Sequence, residues 1–206
     1  MTSTEGIVRR HAFLQALLKR GCLEESEALR LFQELMESDD PSAFNHLLTW
    51  LNLGDPEDEG EFGLHSLHMA VRSLRNPSDG KVYVGVVNRL QDNVAKLGGL
   101  FTPAETAFFQ KILETIAVAE EREIDHVEAL NCRSGLKRAG TLGGDVSLSL
   151  SLTDAETALR TFVRERWLQD AGRGEMYRLG PRAFLELSDM IRDAASDENR
   201  GEWINL

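Results

Sequence analysis

Cysteine is nearly absent from this chain: 206 residues contain two, Cys22 and Cys132. A disulfide framework needs more of them at regular spacing, so both read as reduced thiols in an intracellular compartment. No stretch approaches the roughly 18 consecutive apolar residues of a membrane helix. The opening, MTSTEGIVRRHAFLQ, has no signal-peptide core. These features exclude a secreted or membrane-spanning protein as the reading of choice. Basic charge is also in deficit, with 23 Lys and Arg against 34 Asp and Glu and a formal net charge of −11. Affinity for duplex nucleic acid comes mainly from Lys and Arg on phosphate, so this average charge works against it.

What is present suits a packed core. Hydrophobic residues make up 42% and charged residues 28%, the usual globular mix, and the length accommodates two domains of about 100 residues each. Ile7, His11, Leu14, Leu17 and Leu18 fall on one helical face, with Phe13 beside them, and Gly21 closes that helix. A second helix is expected over 24–36, its first turn crowded with Glu24, Glu25 and Glu27 where the helix dipole favours them. Asp39, Asp40 and Pro41 break the chain. Ser42 is the expected cap of a third helix to about Leu53, with the stripe Phe44, Leu47, Leu48 and Leu51. After the acidic loop GDPEDEG the period changes to two: Leu67, Met69 and Val71 alternate with His68, Ala70 and Arg72, a strand pattern. The turn NPSDG and the run VYVGVV complete a hairpin. Three helices and a hairpin are the plan of a winged helix, here over residues 6–90.

The plan recurs over 91–193. Thr102 and Pro103 open a helix whose apolar face is Phe108, Phe109, Ile112, Leu113 and Ile116. A shorter helix follows over 125–133. Residues 134–144, rich in glycine, predict a mobile segment, and VSLSLSL at 146–152 predicts a strand. Thr153 is the expected cap of a helix to Arg166. Trp167 to Gln169 and Met176 to Leu179 flank a turn and form a second hairpin, with Trp167 in its core. Pro181 starts a last helix, and residues 194–206 form a polar tail ending in Trp203, Ile204 and Leu206. The fold class is therefore mainly α with small β-hairpins, as tandem winged-helix domains.

Catalytic and metal chemistry is poorly represented. His65 and His68 stand at HxxH spacing beside Glu61, but a zinc site usually needs four ligands. Lone cysteines at 22 and 132 read as core thiols, and His11 and His46 as packing residues of amphipathic helices. Gly98-Gly99 and Gly143-Gly144 lack the GK[ST] of a phosphate loop, and the acidic run 55–61 lacks EF-hand spacing. DNA binding is the alternative for any winged helix, through its third helix. SAFNHLLTWLN has no Lys or Arg, and the helix over 153–166 sets Arg160, Arg164 and Arg166 against Asp154, Glu156 and Glu165. Protein–protein contact is the better reading. Aromatic anchors commonly dominate interfaces, so Phe13, Trp50, Phe101 and Trp203 are the candidate partner-binding residues, with simple core packing the favoured alternative for the first three.

Three segments in series resemble one family. RRHAFLQALLKRGCLEESEALRLF, DGKVYVGVVN with FTPAETAFFQKILETI, and RTFVRERWLQDAGRGEMYRLGPRAFLELSDMIRD are similar to the start, middle and second winged helix of the non-SMC element 1 family. The resemblance implies a scaffold subunit of the SMC 5/6 complex, a nuclear machine of chromosome maintenance, DNA repair and recombination. It implies a MAGE-type partner (non-SMC element 3) and a kleisin (non-SMC element 4). Members also carry a C-terminal RING zinc finger that binds two zinc ions, meets a ubiquitin-conjugating enzyme and supports ubiquitin-ligase activity. A RING needs eight Cys or His ligands, and none follows Cys132. The expectation is thus a chain that stops before the RING, with no cofactor, metal or catalytic residue of its own.

Overall fold

The computed structural model describes residues 4–54, 63–90, 97, 100–139, 144–172 and 175–195. The acidic loop from Asp55, Glu61, the Gly98-Gly99 pair, Gly143 and Trp203 lie outside the described residues. The chain divides into two compact units, Met1–Gln91 and Asp92–Leu206.

In the first unit, helices α1 (Thr4–Arg20), α2 (Glu25–Met36) and α3 (Pro41–Leu53) stand with strands β1 (Cys22–Glu24), β2 (Met69–Arg75) and β3 (Val82–Asn88). The sheet is antiparallel in the order β1-β3-β2, with Leu23 opposite Val84 and Val71 opposite Val86. Those four side chains share one face and join Phe13, Leu17, Phe32, Phe44, Leu47 and Leu51 in the core. Burying each large apolar side chain is worth about 2 kcal/mol. The NPSDG turn is held by Gly80 N–H donating to the Asn76 carbonyl and Asn76 N–H to that of Lys81, each at 2.8 Å.

Four local expectations need correction. Cys22 to Glu24 form a strand, where the sequence suggested a direct lead into α2. Gly21, at φ 72°, turns the chain so that Cys22 pairs with Gly85. Glu24 then ends the strand and caps α2 in a reciprocal box with Glu27. The cap of α3 is Asp40, which accepts from Ser42 N–H at 2.9 Å. Pro41 is the first helical residue rather than a breaker, since an N–H there would lack a partner anyway. On α1 the buried residues are Phe13 and Leu17, while Leu18 is 50% exposed and His11 lies at the surface. The helix turns to bury its aromatic ring, which meets Phe44 edge-on at 6.1 Å, and Phe44 meets Phe32 at 5.5 Å. Leu67 belongs to a short 3₁₀ turn (Leu64–Leu67) and is exposed, so β2 starts two residues later than the alternation suggested.

The second unit contains α4 (Pro103–Val118), β4 (Ile124–Asp125), α5 (His126–Asn131), β5 (Lys137–Ala139), β6 (Asp145–Ser147), α6 (Leu152–Arg164), β7 (Leu168–Asp170), β8 (Met176–Leu179) and α7 (Pro181–Ala194). Its main sheet has the order β4-β8-β7. Both units therefore run helix, strand, helix, helix, strand, strand, and in both the third strand is central. The β5–β6 hairpin is added between the second and third helices of the repeat. α4 is the heart of this unit: Phe108, Phe109, Ile112, Leu113 and Ile116 are all fully buried, as its periodicity required. Thr102 and Glu105 cap it reciprocally.

Residues 134–139, expected to be mobile, are tied down. Leu136 is buried, its carbonyl accepts from Leu148 N–H at 2.9 Å, and Lys111 donates to the Ser134 carbonyl. Of the expected strand 146–152 only Val146 and Ser147 are strand residues, and the bond from Leu148 N–H ends the ladder. Ser151, not Thr153, caps α6, its hydroxyl oxygen accepting from Asp154 N–H at 3.1 Å. A cap must be non-helical and extended, so an earlier cap takes Leu152 out of the strand. Gly180 links β8 to α7 where a Cβ would lie 2.3 Å from the Arg166 carbonyl oxygen. No larger residue fits there without moving backbone.

Candidate docking groove

A groove of about 370 Å³ opens on the first unit between α1, α2 and α3. Its floor is apolar, made by Phe32, Met36, Ala43 and Leu47, and its rim carries Arg10, Ser38, His46 and Trp50. Phe32 and Leu47 reach it from the core, so the floor is fixed by the packing that holds the helices together. Trp50 is half-buried on α3, one turn beyond His46.

The Arg10 guanidinium carbon lies 4.5 Å from the centre of the Trp50 ring, a cation–π distance. His11 approaches the same ring at 6.2 Å. Arg10 Nη1 and Trp50 Nε1 are both buried and neither has a hydrogen-bond acceptor among the described residues. The neighbouring Arg9 is placed quite differently. It pairs with Glu5 at 2.7 Å and Glu37 at 3.0 Å and donates to the Leu35 carbonyl. The hydrogen bond it donates to Glu5, then that to Glu37, raises its pKa. Among the described residues no Asp or Glu lines the groove. The groove can thus take an apolar side chain on its floor and offer N–H donors at its edge.

The sequence-level candidates separate clearly. Phe13 is fully buried among the three helices. Phe101 is 8% exposed and packs edge-on against Phe162 at 5.0 Å and Trp167 at 6.4 Å. Phe13 and Phe101 are thus core residues, the packing reading of these two aromatics, and each helps fill the interior of its unit. Trp50 stands in the groove. Trp203 lies outside the described residues. Trp167 is fully buried behind the second hairpin. His65 and His68 are exposed at either end of the 3₁₀ turn, and His11 and His46 are surface residues beside Trp50 rather than packing residues. Cys22 and Cys132 are buried, and neither is in a disulfide. Burial pushes the Cys132 thiol up, opposed by the Thr115 hydroxyl 3.6 Å away. Among the described residues no three His, Cys, Asp or Glu side chains gather as a metal site, and no helix is long and apolar enough to cross a membrane.

Arg10 escaped the sequence reading because nothing in RRHAFLQ distinguishes the paired arginine from the unpaired one. Only the crossing of α1 and α3 brings it to Trp50.

The architecture defines a class first: mainly helical proteins with small antiparallel three-stranded sheets, here carrying a binding groove rather than a convergent reactive centre among the described residues. The chain belongs to the Nse1 family, described as the non-SMC component of the SMC5-6 complex, whose model matches residues 10–187. Similar relatives are the non-structural maintenance of chromosomes element 1 homologues of Xenopus laevis, 26% identical, and Mus musculus, 29% identical; each match covers 90% of this chain. The chain spans 63% and 64% of the length of those relatives. A solved Nse1-Nse3-Nse4 complex contains a chain similar in structure, with a TM-score of 0.71 and 25% identity over 90% of this chain and 73% of that one.

Proposed function

We propose that this chain is a scaffold subunit of an SMC 5/6 complex in the nucleus, acting in chromosome maintenance and DNA repair by holding a MAGE-type Nse3 subunit and a kleisin Nse4 subunit. The observation that carries this reading is the structural similarity to a chain of the Nse1-Nse3-Nse4 complex across nine-tenths of the residues. The repeated order helix, strand, helix, helix, strand, strand, with the third strand central each time, supports tandem winged-helix domains over 6–90 and 91–193. α3, the third helix of the first repeat, contains no Lys or Arg, which favours protein over DNA as what that domain touches. A RING-type ubiquitin-ligase activity is a proposal for the whole protein; no residue among 1–206 is assigned to it. Trp50 is the aromatic residue assigned here to partner contact.

The test is co-expression with the Nse3- and Nse4-type subunits of the same organism, followed by size-exclusion chromatography with light scattering. A stable complex with one copy of each, formed without DNA, supports the reading. A chain that stays monomeric beside both partners and binds duplex DNA at physiological salt overturns it.

A further inference from the structure

We propose that the groove of the first unit grips a protein segment by an apolar side chain and a carboxylate lying within one helical turn of it, with Arg10 as the residue that selects the carboxylate. This deepens the scaffold reading and rests on it for the kind of partner, a neighbouring protein subunit. The groove is too small for a whole helix face and suits one anchor side chain on the floor of Phe32, Met36 and Leu47.

Charge decides what accompanies the anchor. The chain holds 34 acidic residues, yet none of the described ones lines this groove. Arg10 has no ion pair among the described residues, whereas Arg9 has two. Arg10 Nη1 and Trp50 Nε1 are donors without acceptors among the described residues, and a buried donor without a partner costs free energy that an incoming acceptor recovers. Arg10 is only half-buried, so a change of its outer torsions brings Nη1 to that acceptor. A carboxylate answers a fork of guanidinium N–H groups in a way a neutral acceptor does not. A nucleic-acid phosphate fits worse: a backbone track needs several cations in line, and here one arginine stands above an apolar floor.

The test pans short random peptides against the full chain and keeps those that a W50A chain fails to bind. The retained peptides are expected to share an apolar residue with Asp or Glu within four positions. Their affinity falls about tenfold or more for Arg10→Glu and less for Arg10→Gln. Changing the peptide's acid to Lys restores binding to the Arg10→Glu chain. Trp50→Phe, which keeps the ring and removes the N–H, separates anchor from donor. Circular dichroism of each variant confirms folding, and Arg10→Gln keeps the stem if the reversal does not fold. Retained peptides without an acid, binding indifferent to Arg10, or no Trp50-dependent peptide at all would each overturn the proposal. So would Arg10-dependent binding of a short duplex oligonucleotide in place of peptide. Intact co-assembly with a groove that binds no peptide sinks the groove alone. Peptide binding without co-assembly sinks the complex reading and leaves the groove's chemistry standing.

Discussion

Asn52 holds Val71 by both of that residue's backbone polar groups: Asn52 Oδ1 accepts from Val71 N–H at 2.7 Å, and Asn52 Nδ2 donates to the Val71 carbonyl at 3.0 Å. β2 is an edge strand in the order β1-β3-β2, so its outward groups lack a neighbouring strand. The side-chain amide at the end of α3 takes that place and ties helix to sheet. Asn52→Ala removes two hydrogen bonds of about 1 kcal/mol each and should lower stability by about 2 kcal/mol in urea unfolding. Asn52→Asp keeps the acceptor but turns the donor into a charge facing a carbonyl, so it should do no better than alanine. A loss below about 0.5 kcal/mol for both would show that water replaces the amide freely.

In the second unit the strongest polar anchor is Arg182. Its guanidinium carbon lies 4.5 Å from the Trp167 ring centre. Its Nε donates to Glu186 at 2.8 Å, and Glu165 is 3.9 Å away. Glu186 is a buried acid, so Arg182→Met leaves a carboxylate without its counter-charge and should cost about 3 kcal/mol. Replacing both, as Arg182→Met with Glu186→Leu, should recover most of that loss. If the double variant is as unstable as the single one, the stacking on Trp167 is the larger contribution.

The long helices and the first hairpin were legible in the sequence because their apolar periods run long enough to show, while the hairpin of β7 and β8 was legible from the turn between its short strands. The expected face of α4 is buried throughout, and the return from Val82 runs one residue past its expected end, to Asn88. Cys22-Leu23-Glu24 was not legible, since three residues cannot display a period of two and the strand exists only through pairing with β3. The face of α1 was misread because Leu18 and Phe13 are equally apolar in one dimension, and the ring of Phe44 decides between them in three. Of the candidate anchors, Trp50 stands at the groove. Its partner Arg10 is separated from it by 40 positions and carries no local signature.

Thiol chemistry provides a direct check on the two cysteines. Both are buried, and burial raises the Cys132 pKa, which lowers the reactive thiolate fraction. Native protein at neutral pH should react slowly with a disulfide reagent, and denatured protein should release both thiols at once. Rapid reaction of one native thiol would mean that its surroundings open far more readily than the packing indicates.

Alkaline stability should depend on Tyr177. Burial raises its pKa, reinforced by Glu175 and Asp170 and opposed by Arg160. Its hydroxyl also lies 3.0 Å from His126 Nδ1. The unfolded chain then releases the phenolic proton at about 10 while the folded chain keeps it. Stability is therefore fully present below that pH and falls as pH rises through the folded value. Tyr177→Phe should flatten this decline and remove a late step from the tyrosinate absorbance titration. An unchanged slope above pH about 10 would place the alkaline sensitivity elsewhere.

Phe13 and Trp50, alike as aromatic candidates in the sequence, should part company on substitution. Phe13→Ala opens a cavity where Phe44 and Leu17 meet and should cost about 3–5 kcal/mol, with loss of partner assembly only as a consequence of unfolding. Trp50 is half-buried with one face towards the groove. Trp50→Ala removes fewer core contacts and should cost about 1–2 kcal/mol, leaving the unit folded. Its effect should instead appear in assembly with the Nse3- and Nse4-type subunits, measured by light scattering at a temperature where circular dichroism shows the variant intact. Full assembly by the Trp50→Ala chain would remove the groove from the interface. A folded variant that no longer assembles would place binding, rather than packing, at this tryptophan.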